Sequence, residues 1–371
     1  MQSNDKARLQ YLSSLALGRP ILPIASGVSV THNPTYVVRV GFGTPAQTLL
    51  LALDTGTNAA WVPCSGCLGC SSAIFDSTKS STFKTVACGS PQCSQVPHPS
   101  CGGNNCGFSL TYCGDSNLTA NLVQDSLTLA DYLVARITFG CIQNTAGPSI
   151  PAQGLLGLGR GPISLISQTP SIYQSTFSYC LPSYNSSGFT GSLKLGPKYQ
   201  PVHIKSTPLL KNPRRPSLYY VNVLAIRVGA KVVNIPPSAF ALDPNTGGGT
   251  IFDIGVVYTT LVQPAYAAVR DEFRRRMGNA TVSSLGIFDT CYTAPIPIPS
   301  INFKFDGMNV TLPRDNFLLT SGGTTCLAMA GQMDGTDESV LNVIGSFQQQ
   351  NHRIMIDEPN SRLCVAREPC S

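Results

Sequence analysis

A chain of 371 residues is long enough for about two domains of ordinary size. Hydrophobic residues make up 42% and charged residues only 12%, against about 25% in an average soluble protein, which excludes disorder driven by charge. The net charge of +6 sits in short clusters, Arg214-Arg215 and Arg274 to Arg276, with no basic face interleaved with aromatics, and no apolar run approaches the roughly 18 residues of a membrane span, so neither a nucleic acid nor a membrane is expected as a partner.

Residues 1 to 30 mix a short helical spacing (Ala7, Leu9, Leu12, Leu15) with the breakers Gly18-Arg-Pro20, and read as an N-terminal tail or pro-segment remnant. The first residues lack the apolar core of a signal peptide, so a leader is expected to be absent from the given chain. From Tyr36 the text becomes strand and turn: Tyr36 to Val40, the turn Gly41 to Pro45, then an apolar strand from Thr48 to Leu53. Glycine (34) and proline (28) are spread without a triplet period, so short strands joined by turns are expected, a mostly β chain. Pro201, Pro208, Pro213 and Pro216 mark a boundary, after which Leu218 to Val228 reads as one strong strand. One helix follows, opened by Pro264, with Tyr266, Val269, Phe273 and Met277 as a core-facing stripe and Arg270, Arg274 and Arg275 outside it.

Eight of the fourteen cysteines fall within residues 64 to 113, a Ser/Gly-rich stretch too poor in apolar residues to order without covalent help. Cys64, Cys67 and Cys70 have metal-like spacing, but no second Cys-x-x-Cys or His pair completes a four-ligand site, so disulfides are expected and no metal. Asn-x-Ser/Thr acceptor sites at Asn117, Asn185, Asn279 and Asn309 point, with the cysteines, to the secretory pathway. The four histidines, His32, His98, His203 and His352, form no local motif and are expected on the surface.

Two strings are alike: Leu51 to Thr57 (LALDTGT) and Thr250 to Val256 (TIFDIGV), each an apolar strand ending in Asp-x-Gly. Either alone is a common turn. Downstream of each comes an apolar-apolar-Gly string, ending at Gly157, 103 residues after Asp54, and at Gly345, 92 after Asp253, which marks a diverged internal duplication. If two carboxylates on such paired loops meet, they share one proton: the ionised one activates water and the protonated one donates to a carbonyl oxygen, hydrolysing a peptide bond with no covalent intermediate.

These residues resemble the pepsin-type aspartic proteases from about residue 35 onward. Trp61, seven residues after Asp54, and Tyr112 match the family's tryptophan and the tyrosine of its substrate-covering flap. The Cys-rich segment, Gln153 to Gly161 (QGLLGLGRG), Phe177 to Pro182 (FSYCLP) and Ile344 to Arg353 (IGSFQQQNHR) narrow the likeness to plant nepenthesin-like, atypical members, including apoplastic aspartyl proteases. The resemblance implies a bilobal fold with a cleft between two β-rich lobes, residues 31–200 with Asp54 and 201–371 with Asp253. It implies Asp54 and Asp253 as the catalytic pair, with Tyr112, Trp61, Thr55, Gly56, Thr57 and Gly255 around the substrate. It implies no cofactor, a monomer, a polypeptide substrate and secretion to the apoplast. The glycine-rich run 154–161 lacks the context of a nucleotide loop.

The second motif departs from the family. Ile254 and Val256 stand where Ser or Thr is usual and offer no hydroxyl, whereas the first loop keeps Thr55 and Thr57. A donor lost beside a carboxylate lowers activity by one or more powers of ten without removing the acid–base pair, so a weakened aspartic endopeptidase is expected. The alternative is an impaired homologue serving as a binding or inhibitor protein. Twelve cysteines fit the family's disulfide framework, while Cys113 and Cys364 stand where glycine is usual; they pair, stay free or link to another chain.

Overall fold

The computed structural model describes residues 21–70, 73–112, 116–198, 200–201, 204–293, 297–332 and 340–370. Strands hold 47% of it and helices 13%, which makes the chain mostly β. The chain divides after Gln200 into two compact units.

The first unit is built on a strongly curved sheet of β1 (Ile21–Ser26), β2 (Tyr36–Phe42), β3 (Gln47–Asp54), β4 (Trp61–Leu68), β5 (Asn105–Tyr112), β6 (Ser116–Leu129), β7 (Tyr132–Ala146), β8 (Leu155–Gly157), β9 (Thr176–Cys180) and β10 (Gly191–Leu195). The order across it is β9-β10-β1-β2-β3-β8-β4-β7-β6-β5, and β6 also pairs β2, so the sheet curls back on itself. Strand β1 lies between β10 and β2, with Ile24 opposite Val38 and Leu22 opposite Leu193. Residues 21–30 are therefore not a tail: Leu22, Ile24 and Ala25 are buried core, because their apolar side chains fill the space under β2 and β10. The rest of that expectation, residues 1–20, lies outside the described residues.

Within the Cys-rich segment, Cys67–Cys70, Cys88–Cys101 and Cys93–Cys106 are bonded, and Cys64 is bonded to Cys141 of β7. The segment is not held by sulfur alone. Val86, Cys93, Val96, Cys106 and Phe108 join Trp61, Leu118 and Leu122 in one buried cluster.

In the second unit, β11 (Lys205–Pro208) is followed by β12 (Tyr219–Val221) and β13 (Val223–Val228), so the run Leu218 to Val228 is two strands rather than one. Strand β12 pairs β14 (Gly249–Phe252), and β13 pairs a later strand, β16 (Ile301–Phe305). The burial pattern explains the break: Tyr219, Tyr220 and Val221 are all buried, whereas beyond Asn222 buried and outward residues begin to separate, as in a sheet with one wet face. Next come β15 (Thr259–Leu261) and helix α1 (Gln263–Arg276), whose Tyr266, Val269 and Phe273 face the core. Pro264 opens the helix without costing a bonded amide, and three arginines in its last turn complement the helix dipole.

Strand β17 (Met308–Leu312) forms a hairpin with β16. After β18 (Met329–Gly331) and β19 (Leu341–Ile344), the order β12-β14-β19-β15-β18 completes a five-stranded sheet. Strands β20 (His352–Asp357) and β21 (Arg362–Arg367) form a hairpin, and β11 pairs β21. A disulfide, Cys291–Cys326, ties a separate four-stranded sheet.

Candidate active site

In the first unit the strand β3 ends on Asp54, and the loop Thr55 to Asn58 folds back over its carboxylate. Oδ1 accepts the Gly56 amide at 2.6 Å and the Thr57 amide at 3.2 Å, and Oδ2 accepts the Thr57 hydroxyl at 2.7 Å. Three donors on one carboxylate favour its charged form, but the side chain is half-buried beneath the loop. Desolvation is the stronger influence and pushes the Asp54 carboxyl above its ordinary value; the Thr57 hydroxyl and the two amides pull it back.

What holds this loop is the glycine-rich run. Strand β8 lies parallel to β3 with Gly157 opposite Asp54, the Leu158 amide donates to the Asp54 carbonyl at 2.8 Å, and the Gly159 amide donates to the Thr57 carbonyl at 2.9 Å. Asn58 Oδ1 accepts the Gly161 amide at 2.8 Å. A Cβ on Gly157 would lie 2.4 Å from the Asn58 carbonyl oxygen, and one on Gly161 2.3 Å from the Asn58 amide group. The alternating glycines exist so that the loop can lie directly on the run.

Trp61 is fully buried at the start of β4, and its indole Nε1 donates to the Tyr112 hydroxyl at 3.0 Å, the rings 6.3 Å apart and close to edge-on. Burial and the nearby Asp54 charge hold the Tyr112 phenol well above its ordinary value, and the Thr57 hydroxyl lies beside it. Tyr112 therefore keeps its proton as a donor. The first unit thus brings Asp54, Thr55, Gly56, Thr57, Trp61 and Tyr112 into one neighbourhood. Cys113, one of the two extra cysteines, lies outside the described residues.

The second unit repeats the plan. Strand β14 runs into Asp253, which is buried, and β19 lies parallel to it with Phe252 opposite Ile344. The Asp253 amide donates to the Ile344 carbonyl at 3.2 Å, and Asp253 Oδ1 accepts the Gly255 amide at 2.9 Å. The Ser346 and Phe347 amides donate to the carbonyls of Val256 and Val257, and a Cβ on Gly345 would lie 2.6 Å from the backbone of Tyr258. Both apolar-apolar-Gly strings are thus short strands laid beside an aspartate strand, the structural form of the duplication. The copies differ at two positions: Thr55 and Ile254 are both buried but only the first has a hydroxyl, and Thr57 gives a hydroxyl to Asp54, whereas Val256 packs against the cluster of Tyr220, Ile251 and Val343.

Two side chains in these loops were not legible in the sequence. Asn58 is one, and Gln349 is the other, its Nε2 donating to the carbonyls of Asp253 at 3.3 Å and Ile344 at 2.7 Å. Position relative to each Asp-x-Gly string was the only signal available. His352 is also misplaced by sequence reasoning: His32 and His98 are exposed, but His352 is buried on β20, its Nδ1 2.8 Å from the Gln350 carbonyl oxygen. Burial lowers its basicity, and apolar neighbours such as Phe305 and Ile354 tolerate it as a neutral ring. His203 lies outside the described residues.

Among the described residues no three His, Cys, Asp or Glu side chains are grouped so as to hold a metal ion. Cys64, Cys67 and Cys70 are in disulfides, and Cys364 is a buried free thiol whose surroundings push it up to about 11.

Two family models match the chain, one described as xylanase inhibitor N-terminal over residues 36–197 and one as xylanase inhibitor C-terminal over residues 218–366. Among curated proteins, the chain is 49% identical to aspartyl protease AED3 of Arabidopsis thaliana, covering 100% of this chain and 85% of that one. It is 35% identical to aspartic proteinase nepenthesin-1 of Nepenthes gracilis, covering 98% and 84%. Among solved structures, basic 7S globulin from soybean shares the fold with a TM-score of 0.73 at 22% identity, covering 93% of this chain and 95% of that one.

Proposed function

Because the chain belongs to the plant pepsin-like aspartic protease family, we propose that it is a secreted, acid-acting endopeptidase with Asp54 and Asp253 as its catalytic pair. The observation that carries this reading is the grip on Asp54: a carboxylate with three donors in a desolvated loop, beside a Tyr112 that keeps its proton. In the proposed reaction the ionised carboxylate takes a proton from water as the water oxygen attacks the peptide carbonyl, and the protonated one donates to the carbonyl oxygen. Collapse of the adduct breaks the C–N bond and hands a proton to the departing amine.

An acid-acting enzyme has to keep its structural carboxylates charged at low pH. Glu272 meets that need, since Arg275, Lys231 and Arg276 hold it down to about 2. Disulfides on this scale persist in oxidising compartments, and no described helix is long and apolar enough to cross a membrane. The apoplast and a monomeric state belong to the same proposal, as does the assignment of residues 31–200 and 201–371 to two catalytic lobes.

Val256 in place of a hydroxyl favours a second reading, an impaired homologue that binds a protein partner as the xylanase inhibitor description suggests. The two separate on hydrolysis of an unfolded polypeptide from acid to neutral pH. The protease reading expects acid-side cleavage lost in both Asp54→Asn and Asp253→Asn; cleavage that survives either change refutes it.

A further inference from the structure

Asn309 lies near the start of β17, two residues after the Gly307 turn of the β16–β17 hairpin, in the acceptor sequence Asn309-Val310-Thr311. Asn309 and Thr311 are both exposed on the outer side of the strand, opposite Lys304 and Asn302 of β16. Asn302 Nδ2 donates to the Thr311 hydroxyl at 2.7 Å, which fixes the rung beside the acceptor.

Asn309 also forms part of the wall of a groove of about 570 Å³ between β17 and the β11–β21 ladder. That volume falls within the roughly 300–1,000 Å³ of sites that bury a small ligand. One side of the groove is apolar, from Val310, Leu312 and Val365, and its polar edge carries Lys205 and Arg367. The hairpin comes close to β11 here: a Cβ on Gly307 would sit 2.8 Å from the Ser206 carbonyl oxygen, so glycine with φ +85° is what permits the approach.

We propose that Asn309 carries an N-linked glycan whose first sugars lie in this groove. The group added is an N-acetylglucosamine-based oligosaccharide delivered on a lipid pyrophosphate. Asparagine Nδ2 forms the bond to sugar C1, the C1–O bond to the pyrophosphate breaks with the electron pair leaving on that oxygen, and Nδ2 loses a proton. Transfer to the unfolded chain makes the strand conformation no obstacle, and the folded chain leaves Asn309 in solvent.

The groove's chemistry suits this occupant. A pyranose ring presents C–H faces to Val310 and Val365 and hydroxyls to Lys205 and Arg367, and covalent attachment at the rim gives the sugar a high effective concentration there. Asn185 and Asn279 are exposed acceptors as well, and serve as the internal comparison. This inference rests on passage through the secretory pathway and not on proteolysis.

The test uses the full chain secreted from plant cells. Glycopeptide mass spectrometry after enzymatic deglycosylation in ¹⁸O water reads occupancy at each acceptor, and hydrogen exchange compares the chain before and after deglycosylation. The expected result is an occupied Asn309, occupancy lost in Thr311→Ala but kept in Thr311→Ser, and amides of 309–312 and 365–367 exchanging about threefold or more faster once the sugar is removed. An unoccupied Asn309 overturns the site, and an occupied one with unchanged exchange overturns its seat in the groove. Because deglycosylation acts on the folded wild-type chain, a poorly folding variant does not blunt the comparison.

Discussion

Replacing Gly157 by alanine isolates what the glycine-rich run does for Asp54. The new Cβ would stand 2.4 Å from the Asn58 carbonyl oxygen, 2.6 Å from its carbonyl carbon and 2.7 Å from the Thr57 carbonyl oxygen, all backbone atoms that no rotamer change can move. The loop must lift off β8, and overpacking of this kind costs about 1–3 kcal/mol. At about 2–4 °C per kcal/mol for a unit of this size, melting should fall by roughly 2–12 °C. Lifting Thr57 also draws its hydroxyl away from Asp54 Oδ2, and a displacement of about 1 Å at a positioned group can cost about 100-fold in kcat/KM. Calorimetry and hydrolysis of an unfolded polypeptide read the two effects, with Gly89→Ala, whose added Cβ meets nothing within 4 Å, as the neutral control. A Gly157→Ala chain that melts and cleaves like the wild type would refute the packing role assigned to the run.

Thr57→Val deletes the hydroxyl on Asp54 and with it a charge-assisted hydrogen bond of about 1.5–3 kcal/mol, so kcat/KM should fall about 10- to 150-fold and the acid limb of its pH profile should move upward. Burial raises the Asp54 carboxyl, so its charged form costs the folded state stability as pH rises through and above the ordinary value; Asp54→Asn should therefore melt higher than wild type at neutral pH, the gap closing in acid. Glu272 runs the other way: its side chain is 4% exposed, but Arg275 and Lys231 are 60% and 54% exposed, so screening trims the contribution to about 1–2 kcal/mol. Glu272→Gln should lose that much at pH 6, and the difference should vanish as pH falls from about 4.5 to about 2. His352 is buried neutral, so folding stability should drop in acid below its ordinary value, and His352→Gln should lessen that drop in a urea titration at pH 4 against pH 7.

The sequence revealed the strand-and-turn texture, the helix from Gln263 and both Asp-x-Gly loops because each is a local pattern: period 2, period 3.6, or a short repeated string. The run Leu218 to Val228 misled because two strands abut at Asn222 with no glycine or proline between them, and only pairing partners distant in sequence separate them. Ile21 to Ser26 read as a tail because its place between β10 and β2 depends on residues about 12 and 170 positions away. Burial of His352 was hidden for the same reason, since the walls around it come from β14, β16, β17 and β21. At the site, Asp54, Trp61 and Tyr112 were legible by motif, whereas Asn58 and Gln349 act through backbone contacts that no short string announces.

The central claim is that this chain hydrolyses peptide bonds with a weakened second loop. It is tested most directly by measuring kcat/KM on an unfolded polypeptide at acid pH for the wild type and for Ile254→Ser plus Val256→Thr. The account predicts measurable wild-type cleavage, raised about tenfold or more when the hydroxyls are restored. Wild-type silence beside an active restored chain would contradict it and leave a scaffold kept for binding.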